Sequence, residues 1–301
     1  MDFFAILQRM LVILFAIVAG FVCRKLNFLG GETDQKISKL ILNLTMPCMI
    51  LAAVINGDTL PEASVVLGIF KVSAVFYGLE FLFAFLLPRF LPGTPGQKGV
   101  WRFGLAFPNV GFIGYPVAVA LFGQEALFYA VLLVMPFNLL SFTMGPLLLT
   151  GAKQFSLRKM FSPTVIASLL SLVMALARIR PPAFTGELLA FLGDITVPLS
   201  LLFTGSILAG LRHMTPSPKL ILLSAVRLLV LPAVLCPILR VMGTDSLILG
   251  IAVTQMAMPV AVNGSLLCME HGGDAESMAQ LTLISTAASM ITIPLIAAAL
   301  L

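Results

Sequence analysis

About ten apolar runs, separated by short polar breaks, divide the chain, and each is close to the ~20 residues that a helix needs to cross a bilayer. They cover approximately 3–23, 35–56, 64–87, 100–122, 125–150, 163–179, 186–211, 218–240, 246–269 and 274–300. Only 10% of the residues are charged, whereas a soluble domain carries about 25% to keep its surface wet. Lipid is therefore the expected solvent, and the fold class is all-α integral membrane. The runs and their connections use up the 301 residues, leaving no room for a soluble domain.

The net charge of +5 does not point to nucleic acid, because the basic residues stand singly between apolar runs and form no patch that could track phosphates. Loop bias explains them better. The first connection carries Arg24, Lys25, Lys36 and Lys39; the third Arg89, Lys98 and Arg102; the fifth Lys153, Arg158 and Lys159; the seventh Arg212 and Lys219. The alternate connections hold only Arg178, Arg180 and Arg240, and the ninth is neutral. The positive-inside rule then puts the odd connections in the cytoplasm and both termini outside the cell (inner) membrane. The first run is too long for a signal peptide and its positive flank follows it, so it is expected to stay in the membrane. Cys23, Cys48, Cys236 and Cys268 lie in or beside apolar segments without CxxC spacing and read as plain thiols.

With five spans in each half, the second half enters from the opposite side, so two similar halves must be inverted. Internal similarity supports this. Asn43-Leu44-Thr45-Met46-Pro47 resembles Asp194-Ile195-Thr196-Val197-Pro198, Gly104-Leu105-Ala106 matches Gly250-Ile251-Ala252, and Pro146 matches Pro294, at offsets of 151, 146 and 148 residues. The expected organisation is a first five-helix repeat over 1–152 and a second, inverted one over 153–301. Inverted repeats with a site between them are the usual plan of secondary transporters.

Span four holds Pro108 and Pro116, with Gly111 and Gly114, inside nine residues. A lone proline would kink a helix, but this cluster should break it. Span nine repeats the theme from Gln255 through Pro259 to Asn263, Gly264 and Ser265. Backbone freed of its hydrogen bonds cannot face lipid and needs protein or a wet cavity around it. The second half-helix of each pair offers free N–H groups and a positive dipole end to an anion, and Asn109, Tyr115, Gln255, Asn263 and Ser265 can add side-chain bonds. The alternative is that both are packing kinks.

Asn43 and Asp194 occupy matched positions in spans two and seven. A carboxylate deep in a span costs about 2.5–3.5 kcal/mol, so Asp194 either serves proton or sodium coupling or lies near the membrane surface. Glu80 and Arg227, 147 residues apart, are the other deep charges and either pair structurally or relay protons. Lys71 and Arg9, near span ends, can snorkel; His213 and His271 are expected in loops.

Laid out in this way, the chain resembles a bacterial member of the auxin efflux carrier family, malate/malonate permease-like, over essentially its whole length. The stretches that carry the resemblance are Met258-Pro259-Val260-Ala261-Val262-Asn263 through Gly273-Asp274-Ala275-Glu276 to Ser285-Thr286, Ser289 and Thr292-Ile293-Pro294. Leu42 to Pro47 after Lys36-Ile37-Ser38-Lys39, and Pro198 to Leu208, add to it. The resemblance implies ten helices in two inverted five-helix repeats, with broken helices four and nine crossing at mid-membrane. It implies transport of organic anions, with Pro108 and Pro259 marking the crossover and Asn109 and Asn263 lining the site. The short connection around Lys153 to Lys159 lacks the long regulatory insertion of many plant members.

The expected function is a secondary active transporter of a small mono- or dicarboxylate, working by alternating access as one repeat's bundle moves against the crossover helices. Its partners are the carboxylate, a coupling proton or sodium ion, and the lipid bilayer; a homodimer is left open, and no cofactor, metal or nucleic acid is expected. The candidate substrate-binding residues are Asn43, Pro108, Asn109, Gly111, Tyr115, Gln255, Pro259, Asn263 and Ser265, with Asp194 and Glu80 for ion or proton coupling. A sodium-coupled symporter of the bile-acid type, or less so a channel, is the alternative. No HExxH, GxSxG or paired His/Asp constellation points to an enzyme.

Overall fold

Helices account for nearly all of the computed structural model, in which residues 3–57, 62–151, 162–210 and 217–300 are described. The boundary between the expected halves, together with Lys153, Arg158, Lys159, Arg212 and His213, lies outside the described residues. In chain order the helices are α1 (Phe3–Lys25), α2 (Gly31–Leu40), α3 (Met46–Ile55), α4 (Ala63–Phe90), α5 (Pro95–Ala106), α6 (Tyr115–Phe122), α7 (Glu125–Thr150) and α8 (Pro163–Leu176). They continue as α9 (Ala183–Gly193), α10 (Thr196–Gly210), α11 (Pro218–Ala225), α12 (Leu231–Val241), α13 (Ser246–Met256), α14 (Asn263–His271) and α15 (Ala275–Leu300). His271, expected in a loop, instead ends α14. Five of the uninterrupted or nearly uninterrupted stretches are long and apolar enough to cross a membrane: Gly31–Ile55, Ala63–Phe90, Ala183–Gly210, Pro218–Val241 and Ala275–Ala299.

Several helix ends are written in local sequence. Thr94 caps α5 in a reciprocal arrangement with Gln97, and Pro95 follows where a missing N–H costs nothing. Asp245 caps α13 by accepting from the amides of Leu247 and Ile248. Gly151 closes α7 at a left-handed φ of 73°.

Prolines sort into two behaviours. Pro88, Pro136, Pro146, Pro237 and Pro294 sit inside continuous helices. Elsewhere the helix widens first. The π-turns Ile41–Thr45, Val110–Gly114 and Val226–Val230 each end two residues before a proline, namely Pro47, Pro116 and Pro232. Each of those prolines cannot donate to the carbonyl four residues back and its ring crowds that oxygen, so the preceding turn opens. The turn at Asp194–Ile195, between α9 and α10, ends three residues before Pro198. These interruptions within spans two, seven and eight were not among the expectations from sequence.

The helices pack as two groups. In one, α1 runs along α10, α3 lies on both α8 and α9, and α2 touches α10. The backbones of α1 and α10 meet so closely that a Cβ on Gly20 or Gly205 would strike the main chain of the other helix. Asp34 of α2 is buried there, accepting 2.8 Å bonds from the Ser206 hydroxyl of α10 and pairing with Arg24 of α1 at 3.3 Å. In the other group α4, α5 and α7 pack together, α6 packs on α7, α11 and α14 lie on α15, and α12 lies on α13. The groups meet where α1 touches α6 and α15, where α10 touches the Val110–Gly114 turn, and where α7 touches α3 and α8. Each group draws on both halves of the sequence.

Contacts between connections also sort by parity. Lys219 donates to the Pro92 carbonyl, Gly96 packs on Asp274, and Arg24 lies beside Gly210, joining odd-numbered connections. At even-numbered ones, Asn56 donates to the Gly186 carbonyl at 3.2 Å.

Candidate functional site

Both clusters of proline and glycine break their helices, and the two breaks touch. Pro108 and Val260 pair as an isolated antiparallel bridge. The Asn109 amide donates to the Pro259 carbonyl at 2.7 Å, and the Ala261 amide donates to the Phe107 carbonyl at 3.0 Å. Neither proline has an N–H to offer, so the bonds come from residues flanking them. Asn109 turns the chain with φ −79° and ψ 66°, an inverse γ-turn closed by the Val110 amide on the Pro108 carbonyl at 2.9 Å. The Val260 amide finds the Ser285 hydroxyl of α15 at 3.1 Å. Phe107, fully buried, packs edge-on against Phe81 and Phe137 beside the break.

The carbonyls orphaned where α5 and α13 stop are collected by one side chain. Arg227, on the π-turn before α12, donates from Nη1 to the Leu105 carbonyl at 2.8 Å and from Nη2 to that of Met256 at 3.2 Å. Its Nε donates to the Met258 carbonyl at 3.2 Å, and Nη2 also pairs with Glu80 Oε1 of α4 at 2.7 Å. Arg227 is 1% exposed and Glu80 is fully buried. A guanidinium suits the negative ends of two helices, and the carboxylate neutralises it. Glu80 and Arg227 thus pair directly, one of the two roles the sequence left open.

Around the breaks lie polar atoms that are buried and have no partner: Asn109 Nδ2, both amide atoms of Gln255, and Asn263 Oδ1. Buried polar groups are normally satisfied, so a cluster of unsatisfied ones marks a place where something else binds. Asn109 is held for this. Its Oδ1 accepts from the Phe112 amide at 3.3 Å, which leaves the buried Nδ2 as the unpartnered end of the side chain. The Gln255 amide lies on Gly114, where any Cβ would collide with it, and Gly114 in turn donates to the Asn109 carbonyl at 3.0 Å. Tyr115 is buried at the start of α6, and Ser265 is half-buried in the first turn of α14. Gly111 faces Met46 of α3 across the boundary between the groups. Pro108 and Asn109 are thus joined to Pro259 and its neighbours across the breaks, and Gln255 reaches Gly114, next to Tyr115.

Three sequence candidates lie apart from these residues. Asn43 is exposed and donates back along its own helix to the Lys39 carbonyl at 2.7 Å. Asp194 is exposed at the end of α9, beside Gly193, which packs on the backbone of Met49. Glu80 stands behind the crossover with Arg227. Sequence reasoning missed Thr45 and Thr196, matched residues of spans two and seven that are 2% and 0% exposed, each with an unpartnered hydroxyl. Their signal was present, since they share the 151-residue offset of Asn43 and Asp194. A cleft of about 680 Å³, lined by Lys71, Tyr129, Thr244 and Asp245 among others, holds none of the crossover residues. Among the described residues no group of three His, Cys, Asp or Glu side chains could hold a metal ion.

A family model described as "Membrane transport protein" matches residues 5–151 and 143–297. An uncharacterized transporter of Methanothermobacter thermautotrophicus is 26% identical over 98% of both chains, and one of Methanocaldococcus jannaschii is 25% identical over 95% of this chain and 96% of its own. A Rhizobium meliloti protein named "Putative malonate transporter" is 24% identical over 92% of this chain and 90% of its own. The chain thus belongs to the membrane transport protein family, the auxin efflux carrier-like family that its motifs resemble.

Proposed function

We propose that the chain is a secondary active transporter of a small mono- or dicarboxylate, working by alternating access at the crossover. The observation that carries this reading is the meeting of two broken helices, with buried, unpartnered side-chain atoms on Asn109, Gln255 and Asn263 beside the breaks. On this reading the Val110–Gly114 turn leading into α6, and the start of α14, present half-helix N-termini to the substrate, which favours an anion. The name of the Rhizobium meliloti relative supports malonate as the first compound to test.

On this reading ten spans form two inverted repeats, 1–152 and 153–301, with the crossover at mid-membrane. Matched irregularities support it: exposed Asn43 and Asp194 at helix interruptions, buried Thr45 and Thr196 beside them, and Glu80 paired with Arg227. The two packing groups would rock against one another, alternately opening the seam that Met46 and Gly111 share. Odd-numbered connections, rich in lysine and arginine, face the cytoplasm of a cell membrane. Proton coupling falls to Asp194, the accessible carboxylate, with Glu80 as the buried alternative. Uptake of labelled carboxylates into proteoliposomes under imposed gradients tests the proposal. Failure of every mono- and dicarboxylate to enter, in protein shown to be folded, would refute it.

A further inference from the structure

We infer that the Arg227 guanidinium is a tethered cation occupying the cage in which a transporter of this plan would hold a coupling cation, so that carboxylate binding here proceeds without sodium. The inference rests on the reading of the crossover as the transport site. Its partners are four oxygens: the carbonyls of Leu105, Met256 and Met258, and Glu80 Oε1. Carbonyls at half-helix C-terminal ends are the groups that coordinate sodium or protons in broken-helix transporters. A hard cation takes oxygen ligands, and a carboxylate among them supplies the charge.

Here those oxygens belong to two different broken helices and to α4, and a single planar fork reaches all of them. An ion in that position would come and go with its gradient. Arg227 cannot leave, because it is fixed to the Val226–Val230 turn and is 1% exposed. It therefore holds the ends of α5 and α13 together whether or not the neighbouring site is filled. Arg227 is a positioning residue: it touches the scaffold of the site and not its unpartnered amides.

The test uses full-length protein in nanodiscs, without substrate, and follows the thermal midpoint while sodium replaces choline at constant ionic strength. The wild-type midpoint should not respond to sodium; a saturable rise would overturn the inference outright and needs no variant. Arg227→Ala, which leaves Glu80 and three carbonyls facing a vacancy, should be stabilised saturably by sodium or by guanidinium ion. The response should vanish in Glu80→Gln/Arg227→Ala, which lacks the cage carboxylate. A purely structural ion pair would lose stability in Arg227→Ala without gaining that selective response, and such a result would also refute the idea. Should Arg227→Ala not fold, Arg227→Lys keeps a tethered cation and should stay insensitive to sodium; sensitivity would count against the inference. None of these readouts uses a carboxylate, so their failure is separable from failure of the transport proposal.

Discussion

Two serines on α15, four residues apart, offer a controlled measure of what the paired breaks require. Ser285 and Ser289 are 0% and 2% exposed, and each hydroxyl donates to a carbonyl three residues back, of Thr282 at 3.0 Å and of Thr286 at 2.7 Å. Only Ser285 does something more, accepting from the Val260 amide inside the break of span nine at 3.1 Å. Replacing either with alanine removes one hydroxyl of equal size from a buried place. Ser289→Ala strands no donor and should cost no more than about 0.5 kcal/mol. Ser285→Ala leaves the Val260 N–H buried without an acceptor, a penalty of about 2 kcal/mol.

At the length of this chain about 1 kcal/mol moves a thermal midpoint by about 2 °C, so Ser285→Ala should melt about 4 °C below wild type and Ser289→Ala within about 1 °C. The assay is the thermal midpoint of purified protein in one detergent, read by tryptophan-independent thiol-reactive dye, because the four cysteine thiols include three buried ones that unfolding exposes. Ser285→Thr, which keeps the acceptor oxygen, should recover part of the loss. Equal midpoints for the two alanine variants would mean that Val260 does not depend on α15, and the account of how the break is satisfied would fail.

Three further outcomes follow from the site. Asn109→Asp keeps the acceptor for the Phe112 amide but replaces the Nδ2 donor by an acceptor, so carboxylate affinity measured by calorimetry on protein shown to be folded should fall about 10- to 100-fold; unchanged affinity would remove Asn109 from the site. Gly114→Ala should displace the Gln255 amide and cost about 1–3 kcal/mol, while Gly111→Ala, whose Cβ would rest 3.5 Å from Met46 Cε, should be tolerated, both read as thermal midpoints and binding. Asp194→Asn should abolish stimulation of uptake by a proton gradient and leave binding intact; persistent stimulation would move coupling to another group.

What sequence could show depended on whether a feature announces itself in residue type. The breaks at Pro108 and Pro259 were legible because proline and glycine cluster there, and Asn109, Gln255 and Asn263 because amides are conspicuous in apolar runs. The π-turns were hidden, though the rule is simple in retrospect: Pro47, Pro116 and Pro232 each follow such a turn by two residues. Pro88 and Pro294 do not provoke one, so proline alone is an insufficient sign. The separate position of Asn43 could not be read from residue type, because an amide can satisfy itself on its own helix, here at the Lys39 carbonyl. The partners of Arg227 could not be read at all, since three of them are backbone carbonyls, which every residue possesses.

That hidden role bears on how a mobile site can hold an anion. The deep positive charge at the crossover is already engaged by Glu80 and three carbonyls, so the proposed carboxylate would be met by amide dipoles and half-helix N-termini instead of by a free cation. A free arginine at the site would be stable when paired with substrate and costly when the site emptied, because an unpaired buried charge carries a penalty of several kcal/mol. Neutral amides avoid this asymmetry. An empty crossover has unpartnered Asn109 and Gln255 groups, each costing about 1–3 kcal/mol when dry and less when water reaches them. The empty and loaded forms then differ little in energy, and a transporter must pass through both in each cycle.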